Sequence, residues 1–319
     1  NTPARHLLKK LGMSLFFCFA IKKRPLSPSI EMIPRTDIFM DKKATHLSAQ
    51  TSETGWIYTG LLALAFALLF LLNYLLPLDR GSYTTRIWNW AEWALAGGAL
   101  LVIGVHWRNV SWKTAAIGAA LGIISGLSRG LHDHSPSSGI IEAAAVWLTF
   151  MAGAALFQGL ARDRVTAFQL PLTNIARNLG FGLLVALPLA AVNNLFFFLQ
   201  NGAPQFENLW SSAGYALSPG IHEEAIYRYF VLALCFAFLQ DSSRPRLARA
   251  ATLALAVIPH SLLHLPDLFL DNPWMGLGML AATSLLFGLP MALLQVKRSF
   301  ESAVIFHWFI DFARFFFGY

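Results

Sequence analysis

Charge is what this sequence has least of. Only 13% of its 319 residues are Asp, Glu, Lys or Arg, against about 25% in soluble domains, too few to cover the surface of a water-soluble globule. Cysteine is nearly absent as well: Cys18 and Cys235 allow at most one bridge, which excludes a disulfide-stapled secreted scaffold. Cys235 lies in an apolar run, where a free thiol behaves as a small hydrophobe, so cysteine usage says nothing about redox compartment. No fixed-period repeat is present, which excludes collagen and long coiled coils. Apolar residues, by contrast, are abundant: 56% are hydrophobic, with 26 Phe and 10 Trp and a mean hydropathy of +0.53. They fall in long charge-free runs, which excludes disorder and leaves an integral membrane protein. The net charge of +7 is not a nucleic-acid footprint, because residues 1–54 alone hold nine Lys/Arg against four Asp/Glu. The remainder is close to neutral, and its partner is the lipid bilayer rather than nucleic acid.

In those first 54 residues, Lys9, Lys10, Lys22, Lys23, Arg24, Lys42 and Lys43 surround one apolar run, Met13 to Ile21, far short of the roughly twenty residues a span needs. No small-residue cleavage site follows it, which argues against a signal peptide. Residues 1–54 therefore read as a basic, partly disordered cytoplasmic tail that rests on anionic lipid. From Gly55 onward the hydropathy gives nine candidate spans, 55–77, 91–107, 113–131, 138–160, 178–200, 217–240, 248–265, 273–295 and 302–318. The expected fold is all-α, a polytopic transmembrane bundle of about eight to nine spans, with amino-terminal helices over 55–174 and a second domain over 175–319. Alternate loops carry Arg108 and Lys113, then Arg162, Arg164 and Arg177, then Arg244, Arg246 and Arg249, then Lys297 and Arg298, whereas the opposite loops hold only Arg80 and Arg86. Positive residues stay inside, so the amino terminus is expected in the cytoplasm of a multi-pass cell-membrane protein. Trp56, Trp88, Trp90, Trp93, Trp107, Trp112 and Trp274 fall at span ends, as an aromatic belt would place them.

Ionisable side chains at bilayer depth cost at least about 2.5–3.5 kcal/mol each, so every one needs a reason. They are Arg129, Glu142, the run His222-Glu223-Glu224-Ala-Ile-Tyr-Arg228, His260 and His264, then His307, Asp311 and Arg314, with Asn193 and Asn194 as uncharged companions. On a helix, Glu224 and Arg228 stack at i,i+4 and neutralise each other. Glu223 is turned away by 100° and left without a local partner, as a candidate acid/base; a purely structural cluster is the competing reading. His260 and His264 are also i,i+4 and can face one metal or one water, but the zincin run His-Glu-x-x-His is missing. His307 and Asp311 form a third such pair, in which the carboxylate fixes the imidazole tautomer, unless Asp311 instead pairs with Arg314.

Glu223-Glu224-x-x-x-Arg228, an x-x-x-His motif ending at His264, and His307-x-x-x-Asp311, in that order on three apolar segments, resemble the CPBP family. This family of membrane-embedded proteases includes type II CAAX prenyl endopeptidases and bacteriocin-processing or self-immunity proteins. The similarity covers roughly residues 175–318. It implies that Glu223 is the general base that activates water, that Glu224 and Arg228 support it, that His264 takes the second catalytic position, and that His307 with Asp311 stabilises the oxyanion. The family usually has Phe where this chain has His260, whose role has no assignment. It usually has Asn where this chain has Asp311, and an ionised carboxylate cannot donate to an oxyanion. The implied activity is endoproteolysis of a membrane-associated or exported protein or peptide, with no cofactor; zinc is compatible with the histidines but not required. A non-catalytic immunity or scaffold protein of the same family and a proton-coupled transporter are the alternatives.

Overall fold

A backbone in lipid has no water to bond with, so apolar runs must satisfy their amides internally. In the computed structural model, which describes residues 42–78, 81–159 and 172–319, every regular element among the described residues is helical. The chain runs through α1 (Lys42–Leu75), α2 (Tyr83–His106), α3 (Trp112–His132), α4 (Pro136–Gly159), α5 (Leu172–Asn201) and the short α6 (Leu209–Tyr215). Next, α7 (Leu217–Glu223) passes through a π-helical stretch, Glu224–Val231, into α8 (Leu232–Leu239). After α9 (Pro245–Leu263) and the short α10 (Pro266–Asp271), α11 (Pro273–Thr283) continues through a second π-helical stretch, Ser284–Gly288, into α12 (Leu289–Lys297), and α13 (Phe300–Phe316) closes the bundle.

Starts follow local chemistry. Ser82, Ser111, Asn208, Asn272 and Ser299 each accept from a backbone N–H in the first turn of the helix they precede, and prolines open α9, α10 and α11. Among the described residues, five segments are long and apolar enough to cross a membrane by length and composition: Glu53–Leu75, Trp112–His132, Pro136–Gln158, Asn174–Asn201 and Pro273–Lys297. The other expected spans coincide with α2, α7 to α8, α9 and α13. Several expected boundaries move, among them the start of α5, at Leu172 rather than 178. Helix α1 begins at Lys42, inside the expected tail, because propagation from an apolar run costs little; the rest of that tail, with Cys18, Arg80, Arg162 and Arg164, lies outside the described residues. Helix α2 begins at Tyr83 rather than 91 because its amino end is held by Ser82 and by Asp267.

Helix ends sort into two sets. At one end, the Tyr74 hydroxyl donates to the Pro266 carbonyl, Ser128 to the Gly214 carbonyl, and Gln205 N to the Phe317 carbonyl. At the other, the Trp56 indole donates to Ser242 and the Asn109 amide to the Ala155 carbonyl. Segment 209–239 therefore traverses the bundle rather than turning back. Helix α4 is central, with 67% of its apolar window buried against 17–22% for the other four. One flank of α4 packs on α3, where Gly118, Gly122 and Gly126 share one face. A Cβ at Gly122 would run into the Ala143 carbonyl, and one at Gly126 into that of Gly139, the close small-residue contact that drives helix association in lipid. Farther along the same face, Phe150 lies against Gly118, and its ring stacks on Tyr229 at 4.7 Å.

Asp267 ties two distant parts of the chain together. Its carboxylate accepts from the Tyr83 and Thr84 amides, both at 3.1 Å, and from the Thr84 hydroxyl at 2.7 Å. Burial opposes its ionisation, but the Thr84 and Tyr83 hydrogen bonds outweigh it and hold the carboxyl below the usual aspartate range. With the folded value depressed, the stabilisation is present above the unfolded pKa of about 3.9 and lost as pH falls through the folded value. Asp267→Ala should therefore cost about 0.5–1 kcal/mol near neutral pH, the low end for a partly exposed cap. Thermal unfolding should show wild type and variant converging below about pH 4; a constant gap across that range would refute the cap.

Candidate active site

The polar run His222 to Arg228 sits where α7 meets the π-helical stretch. Every residue from Gly220 to Cys235 is buried, and π-helical turns in otherwise regular helices are frequent at functional sites. Gly220, one turn before Glu223, lets α13 come close: a Cβ there would lie 3.1 Å from the Trp308 Cβ. That approach brings His307 alongside Glu223 and Glu224.

Three imidazoles converge on a single carboxylate oxygen, Glu223 Oε2, with Nε2 of His260 at 2.6 Å, of His307 at 3.5 Å and of His264 at 3.8 Å. Glu223, His260 and His307 are buried, whereas His264, at the carboxyl end of α9, keeps 45% of its side-chain surface exposed. It forms the open side of the cluster. His307 Nδ1 lies 2.9 Å from Glu224 Oε1, and the same oxygen is 3.4 Å from Arg228 Nη1, both residues of this ion pair being fully buried. Asp311 divides its oxygens, with Oδ2 3.4 Å from His307 Nε2 and Oδ1 3.2 Å from Arg314 Nη2.

Glu223, Glu224, Arg228, His260, His264, His307 and Asp311 are thus brought together, with several differences from the sequence reading. Glu223, without a local partner in the sequence reading, finds a close one across the bundle in His260, which the sequence left without a role. Asp311 makes both of the pairings left open for it, and the shortest contact to His307 comes from Glu224, which therefore fixes the tautomer. From α13, His307 meets Glu223 within 3.5 Å. Trp88 is not a belt residue, since its ring lies T-shaped to His260 at 5.7 Å and to His264 at 5.0 Å, and Tyr227 covers His260 at 4.9 Å. Its neighbour one turn on, Glu92, reaches His222 at 3.5 Å. Glu142 is held apart from the cluster as an acceptor for the hydroxyls of Ser218, at 2.8 Å, and Ser125. Arg129 pairs on the surface with Asp133. For a metal, Glu223, His260 and His264 offer three ligand atoms within 4.8 Å of one another.

Comparison with known proteins adds one match. The family model described as type II CAAX prenyl endopeptidase Rce1-like fits residues 205–313, the stretch that contains all seven residues of the cluster and none of α1 to α4. No curated protein and no solved structure matches the chain.

Proposed function

We propose that this chain, which carries a type II CAAX prenyl endopeptidase-like domain over residues 205–313 in a bundle of apolar helices, is a membrane-embedded endopeptidase whose hydrolytic water is activated by Glu223. The observation that carries the reading is the buried Glu223 carboxylate ringed by three imidazole nitrogens. A water reaching the pocket past the exposed edge of His264 meets Glu223 as proton acceptor, with His264 as the second base. His307 then faces the scissile carbonyl. Its Nδ1–H donates to Glu224, so Nε2 can donate to an oxyanion only when the ring carries both protons, a form that the carboxylates of Glu223 and Glu224 neutralise. Losing one such donor typically costs about 10²–10³ in rate, the loss expected for His307→Ala.

Because Glu224 already orients His307 and Arg314 already occupies Asp311, the negative charge at 311 is dispensable on this reading. Asp311→Asn should keep activity within about tenfold of wild type, less than the loss of a true oxyanion donor; complete loss would make the carboxylate itself essential.

The substrates supported are membrane-associated or exported protein or peptide precursors, approached from the non-cytoplasmic side. The loop charges carry that second point: α9 runs from the arginine-rich loop of Arg244, Arg246 and Arg249 toward His264. A Cys18→Ser background, with Cys235 buried, allows labelling from outside intact cells. A Cys at exposed Glu207 should react with an impermeant reagent and one at Asp241 should not, and the reverse would invert the orientation. The activity is tested by comparing protein termini in membranes from cells that express wild type or Glu223→Gln. Termini that appear only with wild type support the peptidase, and identical sets refute it.

A further inference from the structure

His260 departs from the Phe-x-x-x-His pattern of the resembling family, yet it makes the shortest contact in the cluster. Its Nε2 and Glu223 Oε2 are 2.6 Å apart, one turn of α9 from His264 Nε2, which lies 3.8 Å from the same oxygen. We propose that Glu223, His260 and His264 form a three-ligand site for a divalent transition-metal ion, with the fourth position open on the exposed side of His264.

A tetrahedral ion with bonds of about 2.0–2.1 Å holds its ligand atoms about 3.3 Å apart. The observed 2.6 and 3.8 Å straddle that spacing, so small side-chain rotations reach it without moving the helices. Two imidazoles and one carboxylate suit zinc or cobalt, whereas magnesium and calcium demand more oxygen. Two histidines at i,i+4 with a carboxylate from another helix reproduce the donor set of three-ligand zinc sites that keep a position for water. At 2.6 Å the His260–Glu223 contact is a hydrogen bond with one shared proton. The ion would take the place of that proton, which a neutral imidazole keeps by moving it to Nδ1 and an imidazolium releases to solvent. The imidazoles are braced beforehand by Trp88 against both rings and Tyr227 against His260, an apolar wall that limits solvent access on that side. With Phe at position 260, two ligands would remain, so the site is a property of this chain's own substitution. Its use in hydrolysis rests on the peptidase reading above; its occupancy does not.

The full chain, purified in detergent with any affinity tag removed and metal stripped by a chelator, is titrated with Co²⁺. The expected result is one equivalent bound per chain, with the visible absorption of tetrahedral cobalt, displaced by Zn²⁺. His260→Phe, which keeps a ring against Trp88 and Tyr227, should weaken binding by more than about 100-fold, beyond the 10–100-fold typical for an outer-shell change. Replacing the exposed His132 and His134 by Ala should leave binding unaltered. Less than one equivalent on wild type, or wild-type affinity in folded His260→Phe, overturns the site, and the wild-type titration decides alone if that variant does not fold. A chain that binds no metal yet still generates Glu223-dependent termini removes the metal site and leaves the peptidase. Stoichiometric cobalt without such termini does the opposite.

Discussion

Glu223→Gln should lower turnover by about 10²–10⁴-fold, the range for losing a positioned general base, with no loss of folded protein. Gln has the shape of Glu, and its amide can still hydrogen-bond His260 Nε2 across the 2.6 Å contact, so packing around α7, α9 and α13 is preserved while the proton acceptor is gone. The rate at which new termini appear in membranes, read beside thermal unfolding of the purified variant, separates the two effects. Turnover that survives would transfer the role of base to another group and leave Glu223 as structure; a collapse in unfolding temperature would mean the carboxylate is needed for the fold. A merely structural cluster or a scaffold protein would show no change in termini at all.

Arg228→Met should be the most destabilising single change in the site, by about 3–5 kcal/mol, because it strands the partner of a fully buried ion pair. Arg228 and Glu224 have no exposed surface, and among the described residues Glu224 would keep His307 alone as a neighbour of opposite charge. Among the described residues the guanidinium nitrogens have no hydrogen-bond partner of their own, so the ion pair at 3.4 Å is what holds them. Neutralising both members at once, as Glu224→Gln with Arg228→Met, should recover most of the lost stability, since removing a buried pair costs far less than splitting it. It should not recover activity, because His307 Nδ1 then faces an amide instead of a carboxylate. Folded yield and unfolding temperature of the single and double variants form the measurement, and a single variant as stable as wild type would refute the pairing.

What the sequence shows and what it hides divide along the range of the interactions. Apolar runs disclose the helices because the bilayer imposes one solution on any backbone, and Glu224–Arg228 is legible because both ends lie on one helix. Partnerships between helices are not. His260 meets Glu223 across 37 positions, and Trp88 reaches the histidines from α2, where an indole near a helix end reads naturally as an interface anchor. The π-helical stretch Glu224–Val231 carries no proline or glycine to announce it. The serines around Glu142 are too common to stand out, although a buried carboxylate in an apolar helix signals that acceptor partners must exist. The spacing of Gly118, Gly122, Gly126 and Gly130 is plain in the sequence, but nothing there says which helix it meets.

The central placement of α4 bears on how the chain is made. Segment 217–239 carries Glu223, Glu224 and Arg228, each costing about 2.5–3.5 kcal/mol to leave in lipid as a lone helix. By the time a ribosome reaches it, α3 and α4 have already been synthesised, and their glycine contact can form without any later element. They then present Phe150 to Tyr229, and Ser125 with Glu142 to Ser218, so the polar helix finds aromatic and hydrogen-bonding neighbours as it leaves the translocon. On this view the amino-terminal helices serve biogenesis as much as architecture: they are the resident chaperone of the segment that bears the chemistry.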